Sequence, residues 1–191
     1  MRLIGVTGGL GTGKSTVSNY LHTRYSLPIW DADIYARSAV AVGSPILTVL
    51  VQRYGTDILQ PDGTLDRQQL ATIIFRDLHQ RQWVEAQIHP YVRGCFETEI
   101  SRLAPEATGV LAIPLLFEAK MSDLVTEIWV VSCDRSIQLN RVIERDRSTE
   151  ADAQIRIDSQ MSLLEKIALA DVNLDNSTTI IDLEYQIDRK F

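Results

Sequence analysis

Eight residues near the amino terminus limit this chain more than anything else in it. Gly8-Gly9-Leu10-Gly11-Thr12-Gly13-Lys14-Ser15 fits G-x-x-x-x-G-K-[ST]. Leu3–Thr7 before it is a compact apolar run, and Val17, Tyr20, Leu21 and Tyr25 after it recur at helical spacing. A buried strand, a glycine-rich loop and an amphipathic helix in that order make a phosphate cradle. Glycines let backbone N–H groups turn inward, and the helix start adds its free donors and the positive end of its dipole. The expectation is a P-loop that grips a nucleoside triphosphate. Lys14 reaches the β- and γ-phosphates, and the Ser15 hydroxyl ligates Mg²⁺.

Bulk properties narrow the class. The 191 residues fit one domain with room for an insertion. A net charge of −6 argues against a general nucleic-acid binder, which must neutralise many phosphates. The longest apolar run, Val110–Phe117, falls far short of the ~20 residues that span a bilayer. The amino terminus lacks the apolar stretch and cleavage site of a signal peptide. Cys95 and Cys133 are isolated, and His22, His79 and His89 have no metal-ligand spacing. These features predict a soluble cytoplasmic protein, a monomer or weak homo-oligomer, with no nucleic-acid or membrane partner.

Five short apolar segments read as strands: Leu3–Thr7, Pro28–Trp30, Gly109–Pro114, Glu127–Ser132 and Val172–Leu174. Helical patterns separate them, which predicts an α/β fold with a parallel five-stranded sheet. Residues 34–103 hold no convincing strand and read as a helical insertion. In it Ile46, Leu47, Leu50 and Val51 share a face, Asp66 caps a helix, and Pro90 marks a kink or a break. Arg135–Arg147 reads as an arginine-rich helix and Thr149–Ala170 as one further helix with a weak apolar stripe. The chain closes on a short helix with Ile181 and Tyr185.

The P-loop does not choose a reaction, since switches, motors and kinases share it. The D-x-x-G and N-K-x-D signatures of switch GTPases are absent from this sequence. The chain is also short for a motor, so a small phosphotransferase remains. Such an enzyme needs a carboxylate beside the attacking hydroxyl. Asp31 and Asp33 follow the second strand, on the P-loop edge of the sheet, and in extended chain both point to one face. Taken alone, the pair reads better as caps of the second helix, and the nearby P-loop shifts one of them towards catalysis. Arg141 and Arg145, at i and i+4, read by themselves as a solvated face paired with Glu144 and Asp146.

Several motifs together resemble the dephospho-coenzyme A kinase family. They are Gly5-Val6-Thr7 running into Gly8–Thr16, Asp31-Ala32-Asp33 with Ala36-Arg37, Asp62-Gly63-x-Leu65-x-Arg67-x-x-Leu70, Ile74-Phe75, Ile88-His89-Pro90 and Pro114-Leu115-Leu116-Phe117-Glu118. Gln138, Arg141, Arg145-Asp146, Gln160, Ala170-Asp171 and Asp175-Asn176 complete the match over nearly the whole chain. The resemblance implies a P-loop NTP hydrolase fold with a core of 1–33, 104–139 and 171–191, a CoA-binding helical insertion at 34–103, and a helical lid at 140–170. It implies transfer of the γ-phosphate of ATP to the ribose 3′-hydroxyl of dephospho-CoA, with Mg²⁺. Asp33, Lys14 and Arg145 would be catalytic. Gly11, Thr12, Gly13, Lys14, Ser15, Thr16 and Arg141 would hold ATP. Asp33, Arg37 and His89 would meet dephospho-CoA, and Ser15 with Asp33 would hold the metal. Ala112 stands where many members carry an acid, and no glycine follows Asn176. Two other readings are a P-loop kinase with a nucleoside, nucleotide or sugar acceptor, and a nucleotide-binding regulator without turnover.

Overall fold

The structure is a computed structural model. It describes the backbone of residues 1–191 and all side chains except those of residues 75 and 76, so the Phe75 side chain of the Ile74-Phe75 element lies outside the described residues. In chain order the elements are β1 (Arg2–Gly8), α1 (Lys14–Tyr25), β2 (Ile29–Asp31), α2 (Ala32–Ala39), α3 (Pro45–Tyr54), α4 (Arg67–Arg76) and α5 (Leu78–Arg102). Then follow β3 (Thr108–Ala112), β4 (Glu127–Ser132), α6 (Arg135–Asp146), α7 (Glu150–Asp158), α8 (Leu163–Ala168), β5 (Val172–Asp175) and α9 (Ile180–Asp188). Two compact units result: residues 1–31 with 99–191, and residues 32–98.

The first unit holds the sheet, whose order is β2-β3-β1-β4-β5 with every pairing parallel. β1 is central, and six of its seven residues are buried. A central parallel strand is covered on both faces, which is why Leu3–Thr7 reads as an unbroken apolar run. On one face Val17 and Leu21 of α1 and Leu183 and Ile187 of α9 pack with Ile4, Val6, Val110, Trp129, Val131 and Leu174. Burying each such side chain contributes about 1.5–3 kcal/mol. The Trp129 indole N–H is buried too, and donates to Glu127 Oε2 at 3.0 Å. A small cluster of Val142, Ala153 and Ile157 joins α6 to α7, with Leu10, Leu139 and Ile143 packed against it.

The second unit is helical. Ser44 caps α3, accepting from Leu47 N–H, and Gly55 at φ 81° ends it. Asp66 caps α4 as expected, accepting from Gln69 N–H at 2.9 Å. Between them lie a 3₁₀ turn, Thr56–Ile58, and an isolated antiparallel bridge, Leu59 to Leu65, closed by Asp62-Gly63. Asp62 accepts from both the Thr64 N–H and its hydroxyl. The core of this unit comprises Val40, Leu47, Leu50, Ile58, Leu65, Leu70 and Val84.

Four expectations are corrected. Pro90 does not break the helix: α5 runs unbroken from Leu78 to Arg102 with Pro90 inside. Val84 on one side of the proline and Val92 and Phe96 on the other are all buried, so both halves are anchored by packing while one backbone bond is lost. Thr149–Ala170 is two helices, because Ser162 and Glu165 form a capping box that starts a new one at Leu163. β3 stops at Ala112, two residues before Pro114. Finally, Asp31 and Asp33 are not two residues of one extended segment. Asp31 ends β2, while Asp33 sits in the first turn of α2, so strand alternation does not govern where they point.

Candidate active site

The P-loop joins the carboxyl end of β1 to α1. Gly13 is the residue before α1, at φ 100°, a left-handed conformation that favours glycine. A Cβ there would lie 2.1 Å from Asn176 Nδ2. That Asn176 is nearly buried and donates from Nδ2 to the Thr12 carbonyl at 2.8 Å. Thr12 is fully buried, and its hydroxyl donates to the Gly9 carbonyl. The inner face of the loop is left for an anion. Among the described residues the N–H groups of Gly11, Gly13, Lys14 and Ser15 find no acceptor within the fold. Those unused donors lie at the positive end of the α1 dipole, where Lys14 begins the helix half-buried, and such a helix start favours an anion.

The Ser15 hydroxyl is exposed at the second position of α1. Among the described residues there is no cluster of three or more His, Cys, Asp or Glu side chains that would hold a metal on its own. The Ser15 hydroxyl is an oxygen donor of the kind Mg²⁺ takes. Mg²⁺ keeps waters and phosphate oxygens and takes only one or two protein ligands.

Arg141, on α6, is half-buried beside the loop. Its NH2 donates to the Asn176 carbonyl at 3.1 Å, and its NH1 is buried with no acceptor among the described residues. A buried guanidinium nitrogen left unpaired is costly, and a ligand oxygen or ring nitrogen would satisfy it. Arg145 lies one turn on and is about half exposed. Its Nε and NH2 donate to the two carboxylate oxygens of Asp146 at 2.7 and 2.9 Å. Arg156 of α7 donates to the same carboxylate at 2.6 Å.

Hydrogen bonding from Arg145, with Arg156 adding its charge, holds the Asp146 carboxyl below the ordinary carboxylate range. A depressed carboxyl stabilises the fold fully above its unfolded value of about 3.9, and that contribution is lost as pH falls through the lower folded value. Amide protection in α7 is therefore expected to fall below about pH 4. Asp146→Asn should start from lower protection and lose that acid dependence. Hydrogen exchange across pH 3 to 6 checks this, and a flat profile in the native protein counts against it.

In the helical unit Asp33 and Arg37 occupy the first and last turns of α2, each complementing the helix dipole, and both are exposed. His89 lies on α5 and is half-buried. Burial pushes its imidazole below the ordinary histidine value, Arg81 acts in the same direction, and Glu85 opposes. His89 is thus neutral at pH 7. Glu85, one turn before it, also accepts from Arg81 Nε at 2.8 Å.

Three further residues bear on the loop. Gln138 and Gln160 bond the Leu10 peptide groups. Lys166 is fully buried, donating to the Pro114 carbonyl at 2.9 Å and to Glu118 at 3.0 Å. Thr7, one residue before the loop, donates to the same Pro114 carbonyl. Burial lowers the Lys166 pKa, Glu118 opposes, and the charge of Lys14 adds to the lowering, which puts the two lysines within electrostatic reach. A lysine in a weakly amphipathic helix reads as solvent-facing, so periodicity carried no sign of this role.

A family model described as dephospho-CoA kinase matches residues 2–182. The chain belongs to the dephospho-CoA kinase family. A dephospho-CoA kinase from Synechocystis is 56% identical over 186 residues, covering 97% of this chain and 92% of its relative. One from Nostoc is 54% identical over 190 residues, covering 98% and 95%. A solved structure from Thermus thermophilus superposes with a TM-score of 0.82 at 31% identity, over 99% of this chain and 95% of the other. The dephospho-CoA kinase of Campylobacter jejuni gives 0.72 at 23% identity, over 100% and 96%, and a Bacteroides shikimate kinase gives 0.56 at 13%, over 99% and 95%. Those last two likenesses speak to the fold alone, which is that of P-loop kinases. Among the described residues no helix is long and apolar enough to cross a membrane.

Proposed function

We propose that this member of the dephospho-CoA kinase family transfers the γ-phosphate of ATP to the ribose 3′-hydroxyl of dephospho-CoA, giving CoA and ADP. The observation that carries the reading is the P-loop with its unused donors, in a chain that matches the family over residues 2–182. The hydroxyl oxygen bonds to the γ-phosphorus, the bond from that phosphorus to the β–γ bridging oxygen breaks, and the hydroxyl proton passes to Asp33. Residues 11–16 hold the triphosphate, the backbone N–H groups of Gly11, Gly13, Lys14 and Ser15 donating to it, and Lys14 neutralises charge at the β- and γ-oxygens. Ser15, with Asp33, would hold Mg²⁺, which would supply charge that screens the phosphates and lowers repulsion toward the attacking oxygen.

Arg141, with its unpaired buried nitrogen, contacts the nucleotide. Arg145 meets charge on the transferring phosphoryl group after exchanging Asp146 for it; Arg156 remains to hold that carboxylate. Residues 34–103 take the acceptor, with Arg37 and neutral His89 as substrate contacts, and 140–170 act as a lid that excludes water. Both cysteines are free, in keeping with a reducing cytoplasm. A coupled assay for ADP release tests the reading with dephospho-CoA against adenosine, AMP and shikimate. Turnover with dephospho-CoA alone is expected. Turnover with another acceptor and none with dephospho-CoA would sink the proposal.

A further inference from the structure

Leu10 stands at the crest of the P-loop, and side chains from either side of α7 engage both of its peptide groups. Gln138 of α6 donates from Nε2 to the Leu10 carbonyl at 2.8 Å. The Leu10 N–H donates to Gln160 Oε1, between α7 and α8, at 2.9 Å. The backbone dictates how each amide is oriented, since a carbonyl must be given a proton and an N–H must be given an acceptor. Gln138 is 2% exposed, and Arg135 donates to its other end at 3.3 Å, so its flip is held twice over. The Leu10 side chain packs against Val142, Ala153 and Ile157 of the α6–α7 cluster. The crest is therefore bracketed by one obligate donor and one obligate acceptor over an apolar seat.

The same contacts explain the glycines on either side. A Cβ on Gly9 would lie 2.6 Å from Gln138 Nε2. One on Gly11 would lie 2.8 Å from Val142 Cγ2 and 3.1 Å from the Gln138 carbonyl. Side chains at those positions would push the crest off its bracket. Beyond Leu10 the chain turns at once through Gly11, at φ 79°, into the loop N–H groups left without an acceptor among the described residues. The Leu10 peptide planes thus set where those donors begin.

We propose that Gln138 and Gln160 are positioning residues for the triphosphate, clamping Leu10 so that the donors from Gly11 to Ser15 are preorganised. They touch no substrate and act through the loop. The proposal rests on ATP binding at the P-loop and not on which alcohol is phosphorylated, so it is tested by nucleotide binding rather than turnover.

Opposite bond polarity makes the test specific. Glutamate at position 160 keeps the acceptor, whereas glutamate at 138 faces the Leu10 carbonyl without a donor. Both add the same charge near the loop, so their difference reads the hydrogen bonds. ATP dissociation constants with Mg²⁺, by calorimetry on folded protein, are expected to rise about tenfold in Q138M and Q160M, the effect of one lost buried bond. Q160E should recover most of that loss, and Q138E none of it. ATP affinity in Q160E as weak as in Q160M would overturn the proposal, as would native affinity in both methionine variants. If the Q138 variants do not fold, the comparison of Q160E with Q160M decides alone.

Discussion

Asp33→Asn is expected to lower kcat by about 10²- to 10⁴-fold while ATP affinity stays within a few-fold of native. Asparagine keeps the size of aspartate and its side-chain oxygen, so it serves the start of α2 almost as well. What it loses is the ability to accept a proton at neutral pH. The alternative role for Asp33, in the first turn of α2 beside the positive end of its dipole, is worth only about 0.3–1 kcal/mol, and only in stability. The two roles therefore separate cleanly. ADP release in the presence of dephospho-CoA gives kcat, calorimetry gives the ATP dissociation constant, and urea denaturation gives stability. Native turnover in the variant would remove Asp33 from proton transfer. A matched loss of turnover and of ATP binding would place its main contribution in holding the metal, or in the fold, rather than in proton transfer.

The second large effect belongs to stability. Lys166→Ala is expected to cost about 3–5 kcal/mol, because it strands the Glu118 carboxylate with its partner gone. Lys166 is fully buried, and its ammonium sits between that carboxylate and the Pro114 carbonyl. Among the described residues Glu118 would retain only the Met161 N–H, at 3.0 Å. The Pro114 carbonyl would retain the Thr7 hydroxyl. Removing both charges should be milder than removing one, so a Lys166→Met, Glu118→Leu double variant is expected to recover a substantial part of the loss. Urea midpoints for the two single variants and the double variant give the coupling directly. A single-variant cost below about 1 kcal/mol would reduce the pair to a surface ion pair. The same substitutions should also weaken ATP binding, since Thr7 leads into the P-loop and Lys166 lies within electrostatic reach of Lys14.

Arg145 and Glu118 mark the limits of reading by motif. Both stand in motifs of the family, and the motif alone does not show what either one bonds. Arg145 is held by Asp146, as a solvated-face reading anticipates, while the phosphoryl role asks it to leave that partner. Glu118 faces a buried lysine. Gln138, Gln160 and Asn176 were visible as matching residues with no chemistry attached. An amide side chain carries no charge, so spacing and composition have nothing by which to assign it. Only its backbone partners reveal what it does.

The P-loop is where the chain and its structure agree most closely. Local physics decides it: a buried strand, glycines at positive φ and a helix start are all encoded within residues 2–25. The parallel sheet, the capped helices and the strand-free stretch 34–103 follow from periodicity for the same reason, since each depends on neighbours a few residues away. What tertiary structure alone decided are contacts between residues 48 to 164 positions apart: Asn176 on Thr12, Gln160 and Gln138 on Leu10, and Lys166 on Pro114 and Glu118. Those contacts depend on how the elements are laid side by side, and no local window of sequence contains both partners.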